Sequence, residues 1–285
     1  MFDRIRTYLP FLPGSRRTVV PVVRLQGPIG LVTPLRPGLS LASVALPLER
    51  AFSVRKAPAV ALIINSPGGS PVQSRLIFRR IRDLAEKHKK DVLVFIEDVA
   101  ASGGYMLALA GDEIVADPAS IVGSIGVVSA GFGFTGLIDK IGVERRVYTA
   151  GEKKAILDPF RPENPEDVAH LKALQHEIHE IFIDMVRERR GDILADNPDL
   201  FSGQFWTGRT ARDLGLVDSL GDLSAVLRRR YGEAVEPRLI SLPRGLFGRR
   251  TGVGVGAAAQ PLPAGLGDDL LSAVEARALW ARFGL

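Results

Sequence analysis

The chain has no cysteine. That absence excludes disulfides, thiolate nucleophiles and cysteine-ligated metal centres together. Histidine is scarce, with four in 285 residues, and lysine is limited to eight against 29 arginines. Arginine keeps its proton at any ordinary pH, so candidates for a general base are few. Long hydrophobic runs are also lacking. The uncharged stretch 121–138 is 18 residues long but is broken by Gly123, Gly126, Gly131, Gly133 and Gly136. It reads as a buried strand–turn segment rather than a membrane span. At the N-terminus, Arg4 and Arg6 precede an apolar stretch, Tyr8 to Pro13, too short and too proline-broken for a secretory signal. The expectation is a cytoplasmic protein, or one peripheral at the inner membrane.

What is present fits a folded α/β protein. Apolar residues make up 46% of the chain, a globular proportion. Positive charge sits at the ends: residues 1–24 and 228–285 each carry a net +4 of a total of +5. Basic ends on a near-neutral body suit contact with anionic lipid or plain solvation. No basic run is interleaved with aromatics, so nucleic acid is not an expected partner. Short Val- and Ile-rich strand candidates lie at Thr18–Leu25, Ala59–Ile64, Val92–Ile96, Glu113–Ala116 and Arg145–Thr149. Helical patterns separate them: an apolar stripe from Val72 to Leu84, a short helix at Met106–Ala110, and a long one from Glu166 to Arg190. This alternation predicts an α/β core. Four regions follow: a basic segment at 1–17, a main domain at 18–238, a Gly/Pro-rich flexible linker at 239–267, and an amphipathic helix at 268–285.

Two motifs carry chemistry. Asn65-Ser66-Pro67-Gly68-Gly69-Ser70-Pro71 follows a strand and opens a helix. Ser70 suits the N-cap, Pro71 the first helical position, and Gln73 would complete a capping box. Gly68 and Gly69 allow positive φ and leave their amides uncovered, as an oxyanion hole requires. The motif lacks the Gly-Lys-Ser/Thr ending of a phosphate loop and the spacing of a dinucleotide fingerprint. In the second motif, Ala100-Ala101-Ser102-Gly103-Gly104-Tyr105, Ser102 lies between small residues at a strand-to-helix turn. It could be a helix cap or a nucleophile. The Gly103 amide could join those of Gly68 and Gly69. The spacing is not that of the α/β-hydrolase elbow.

A serine nucleophile needs a base. His88, His170, His176 and His179 all lie on charged helical stretches, and His176, His179 and Glu180 read as a solvated helix face rather than a metal site. A Ser-His-Asp triad is therefore poorly supported, and no metal or cofactor is expected. Among the lysines, Lys56, Lys87, Lys89, Lys90 and Lys172 sit in charged surroundings and Lys140 reads as a helix end. That leaves Lys153 and Lys154, which follow Ala150-Gly151 and precede the apolar Ala155-Ile156-Leu157. A lysine base must release its proton roughly 3 pH units below its ordinary value of about 10.4, a cost of about 4 kcal/mol that burial can supply. The residues alone do not choose between the two.

Taken together with Gly123-Ser124-Ile125-Gly126-Val127, Gly151-Glu152-Lys153-Lys154, Trp206-Thr207-Gly208-Arg209-Thr210-Ala211 and Gly215-Leu216-Val217-Asp218-Ser219-Leu220-Gly221, these motifs resemble the signal peptide peptidase A family of bacterial Ser–Lys proteases. The resemblance covers about residues 18–230. It implies the fold of the Clp protease proteolytic subunit and the crotonases, built of repeated β-β-α units. It implies Ser102 as nucleophile, and Lys154, three residues after a glycine, as base. Ser124 would hold the lysine amine, and the Gly68, Gly69 and Gly103 amides would form the oxyanion hole. A residue often polar in the family is Ala155 here, and the membrane-anchoring first helix with which many family members begin is not expected in this sequence. The expected function is a serine endopeptidase acting on unfolded or short hydrophobic peptides, remnant signal peptides among them, in a ring-shaped homo-oligomer. An acyl-CoA enzyme of the crotonase fold and a catalytically inactive membrane scaffold are the alternatives.

Overall fold

The computed structural model describes residues 17–30, 38–240, 274 and 276–285. The expected basic segment and most of the expected linker lie outside these residues. The sheet is built from β1 (Val19–Gln26), β2 (Ala59–Ser66), β3 (Asp91–Ala101), β4 (Glu113–Ala116), β5 (Ile121–Gly123), β6 (Phe205–Thr207), β7 (Ser219–Leu220) and β8 (Glu236–Leu239). Its main path runs β6-β5-β3-β2-β1-β8, with β4 pairing β3 and β7. All pairs are parallel except β5–β6. The α/β expectation therefore holds.

Burial explains the strand composition. Every residue of β2, Ala-Val-Ala-Leu-Ile-Ile-Asn-Ser, is buried, as expected of a central parallel strand covered on both faces. Its side chains alternate between two cores. Val60, Leu62 and Ile64 join the larger one. Ala59, Ala61 and Ile63 join a smaller one closed by Val226 and Leu227 of helix α7 (Leu223–Tyr231). The larger core lies under α1 (Leu41–Phe52), α2 (Pro71–His88) and α3 (Gly103–Ala108), and it also takes in the end of α5 (Pro165–Arg190). Two further short helices are α4 (Thr135–Lys140) and α6 (Gly208–Asp213), and residues 276–281 are also helical.

Strand β3 runs past the predicted end at Ile96. Its register with β2 shifts between Ile64↔Ile96 and Ser66↔Ala100, so β3 bulges at Glu97–Val99. It also changes partner, pairing β4 through Leu93–Ile96 and β5 through Val99–Ala101. Glu97 and Asp98 look like a loop in sequence because the bulge lets their carboxylates reach Arg24 at 2.8 Å and the Asn65 amide at 2.6 Å.

Three expectations need correction. Arg145–Thr149 forms no strand, since it is largely exposed and runs beside no partner; a ladder needs a neighbour to satisfy its amides. The stretch 121–138 is buried only as far as Ile125, after which it leaves the body. Ser70 does cap α2 and Pro71 does open it, but Gln73 does not close a capping box. Its Oε1 accepts the Leu41 N–H at 3.0 Å and so caps α1 instead.

Helix α5 is fixed at its C-terminal half. Phe182, Met185 and Val186 enter the larger core. Arg189 donates to the Leu109 and Gly111 carbonyls at 3.0 and 2.8 Å. Buried Arg190 donates to the Gly215 carbonyl at 2.9 Å and to Asp218 at 3.0 Å. Replacing fully buried Phe182 with alanine is expected to cost about 3–5 kcal/mol of unfolding free energy by urea titration.

Candidate active site

The parallel register of β3 with β5 ends at Ala101↔Gly123. The next residues on the two strands are Ser102 and Ser124, so the sheet delivers both hydroxyls at one edge. The Ser102 N–H donates to the Gly123 carbonyl at 2.8 Å, and the Ser124 N–H donates to the Gln204 carbonyl at 2.6 Å. Both serines have positive φ, 52° and 53°. Non-glycine residues there are strained by about 1–3 kcal/mol, and such strain clusters at functional sites.

Ser102 sits at the N-cap position of α3, yet its side chain makes no capping hydrogen bond. Ser102 therefore caps α3 through its carbonyl, which accepts the Tyr105 N–H at 2.9 Å, and among the described residues its hydroxyl is left free. Ser102 is half-buried and lines a cavity of about 310 Å³ with Ser124, Gly126, His179, Ser202 and Arg282.

The glycine turn of the first motif lies against this serine. A Cβ on Gly68 would come within 2.8 Å of the Ser102 Cβ and 2.9 Å of the Gly103 nitrogen, and the φ of Gly68 is +101°. Neither the space nor the backbone admits a side chain. Gly69, at φ +141°, pairs with Ile29, and a Cβ on Gly103 would lie 3.4 Å from the Gly69 nitrogen. The two amides are thus neighbours. They differ from that of Gly68, whose N–H already donates to Ser66 Oγ at 3.3 Å. Among the described residues, the Gly69 and Gly103 N–H groups have no internal acceptor. Ser66 Oγ in turn donates to the Gly27 carbonyl at 2.7 Å, which ties the turn to the end of β1.

Deeper contacts hold the wall behind the serine. The buried Tyr105 hydroxyl donates to the Leu216 carbonyl at 2.8 Å, and burial pushes its pKa well up, so it stays a neutral donor. On the other side of the strand, Val99 and Ala101 form an apolar patch with Ile121. Trp280 and Phe283, from the chain's own end, pack on this patch, with Phe283 edge-on to Phe205 at 5.0 Å.

Lys154 is not brought to Ser102. It is exposed, as is Lys153, and it does not line the cavity. Both belong to an arm, about 127–163, that projects exposed apolar side chains, among them Phe132 (82% exposed) and Tyr148 (91%). His179, expected on a solvated helix face, is placed differently. It is half-buried, lines the cavity, and its Nε2 lies 3.1 Å from the Ile125 carbonyl oxygen. His176, by contrast, is the exposed residue expected, 3.9 Å from Glu180. What could have distinguished them is the i, i+3 spacing from His179 to Phe182, which sets the imidazole on the buried side of α5.

Comparison with known proteins gives this arrangement relatives. The chain is 64% identical over 273 residues to a Brucella abortus protein named Na(+)/H(+) antiporter NhaA, covering 94% of this chain but 37% of that protein. It is 34% identical over 215 residues to a putative protease of Methanocaldococcus jannaschii, covering 73% of this chain and 68% of the relative. It is 35% identical over 232 residues to a chloroplastic serine protease of Arabidopsis thaliana, covering 79% and 34%. The profile described as Peptidase family S49 matches residues 84–234, a span that contains Ser102, Ser124 and Lys154. The chain belongs to peptidase family S49.

Proposed function

We propose that this chain is a serine endopeptidase in which Ser102 is the nucleophile and Lys154, supplied by a second copy of the chain, is the general base. The observation that carries the reading is the free Ser102 hydroxyl, held at strained φ beside the unengaged Gly69 and Gly103 amides. Neutral Lys154 takes the Ser102 proton as Oγ attacks the peptide carbonyl. The Gly69 and Gly103 N–H groups receive the oxyanion. Collapse expels the amine, which takes the proton from the lysine, and water activated by the same lysine then hydrolyses the ester. Ser124, beside Ser102, holds the lysine amine.

Supply from a second copy follows from two features. Lys154 lies away from the cavity on an arm whose apolar side chains face outward. A lysine works as a base only where burial disfavours its charge, and an arm laid over a neighbouring copy provides that cover. One copy giving its arm to the next, around a closed ring, is a heterologous assembly. In this reading the fold is that of the Clp protease and crotonase group.

The substrate is an extended apolar peptide laid beside β5 and β6. The Val99, Ala101, Ile121 and Phe205 patch next to Ser102 already accommodates aromatic side chains of the chain's own end, which supports that preference. We place the protein at the cytoplasmic face of the membrane. Its basic ends and the membrane-protein name of the Brucella relatives support that position. Among the described residues, no helix is long and apolar enough to cross a membrane.

Casein or fluorogenic-peptide cleavage tests the reading. Ser102→Ala and Lys154→Ala are each expected to lower kcat by at least about 10³-fold, while Lys153→Ala stays near wild type. Loss in Lys153→Ala with retention in Lys154→Ala would move the base by one residue. Thioester turnover unaffected by Ser102→Ala would favour acyl-CoA chemistry instead. A second expectation concerns assembly. Phe132→Asp combined with Tyr148→Asp should shift the mass in light scattering toward the monomer and remove peptidase activity together, with the circular dichroism unchanged.

A further inference from the structure

We infer that His179 is a positioning residue that clamps the strained 123–126 loop and thereby keeps Ser124 aimed into the site; the functional part rests on the Ser102–Lys154 reading above. The loop is demanding to hold. Gly123, at φ +112°, adopts that conformation readily as a glycine, but Ser124 has φ +53°, and unfavourable backbone persists only where its surroundings over-determine it. One side is fixed: the Ser124 N–H donates to the Gln204 carbonyl at 2.6 Å, and a Cβ on Gly123 would sit 2.8 Å from the Trp206 ring. Ile125 is anchored below by full burial in the larger core. The Ile125 carbonyl meets His179 Nε2 at 3.1 Å. A carbonyl only accepts, so Nε2 must carry the hydrogen.

The imidazole is well mounted for this task. It precedes Phe182 by one helical turn on α5, and that half of α5 is fixed by the core and by the carbonyl contacts of Arg189 and Arg190. A rigid helix therefore presses one donor on the loop that carries Ser124, and the same ring forms part of the cavity wall. Loss of the donor frees the carbonyl, lets Ser124 relax toward negative φ, and moves its hydroxyl away from the base it holds. The effect falls on the chemical step rather than on peptide binding, which uses the apolar patch and the strand edge.

Four forms distinguish this role: wild type and His179→Ala, →Phe and →Gln. Phenylalanine fills the space without a donor, and glutamine restores an N–H at similar reach. A misplacement of about 1 Å at a reacting group costs up to about 100-fold. His179→Ala and His179→Phe should therefore lose about 10- to 100-fold in kcat with KM within about twofold, and His179→Gln should recover most of it. Amide deuterium exchange over 121–127 gives a readout independent of activity: protection should fall in the phenylalanine variant and return in the glutamine variant. Unchanged exchange in His179→Phe would overturn the clamp, even if Ser102→Ala proved that the chain is no serine peptidase. Lost protection with wild-type kcat would overturn its functional role. A glutamine variant as inactive as alanine would also overturn it, because the imidazole would then be acting through its own proton chemistry.

Discussion

The hydrogen bond from the Ser102 N–H to the Gly123 carbonyl, at the end of the β3–β5 ladder, is the contact on which the candidate site depends. It fixes the register of two parallel strands at the point where both leave the sheet. Side chains one residue beyond the last paired positions must then emerge together, and these are Ser102 and Ser124. The bulge at Glu97–Val99 makes this pairing attainable. It lets β3 leave β4 and take β5 as partner within a single strand.

Everything else around Ser102 is arranged at short range against that edge. Gly68, Gly69 and Gly103 approach so closely that a methyl group on any of them would collide with backbone or with a neighbouring serine. Their absent side chains let two amides come close together, while the Gly68 N–H donates to Ser66. The turn is held from β1 through Gly27 and Ile29, so the first strand of the domain also shapes the position of the Gly69 and Gly103 amides. Stability and chemistry share the same contacts, as expected of a site built on rigid elements rather than on loops.

The central strands were legible because burial on both faces writes a continuous apolar run, as in Ala59–Ile64. The glycine turn and the place of Ser102 at a strand-to-helix junction were legible because glycines and a Ser-Pro start punctuate the chain there, though the residues alone left a structural role as open as a chemical one. Helix α1 went unrecognised because Pro47 lies inside it, and proline in a helix interior normally argues against the element. The strand expected in the 121–138 stretch is present as β5 but only three residues long, and the glycine-rich remainder, expected to be buried, is largely exposed. The strand expected at Arg145–Thr149 failed for the reverse reason: its residues have strand character but no neighbouring ladder. His179 was misjudged because charged neighbours on α5 masked one buried face. That Lys154 is exposed and does not line the cavity beside Ser102 could not be read at all, because the order of motifs along a chain does not say which of them the fold brings together.

That separation gives the account its central claim, a site completed between copies. The direct measurement mixes Ser102→Ala and Lys154→Ala proteins, each inactive alone, after co-refolding or co-expression, with mixed oligomers verified by native mass spectrometry. If the serine and the lysine of a working site come from different copies, random assembly of equal amounts should restore about a quarter of wild-type peptidase activity. Mixed oligomers that remain inactive would contradict the account and place both residues of the site within one chain.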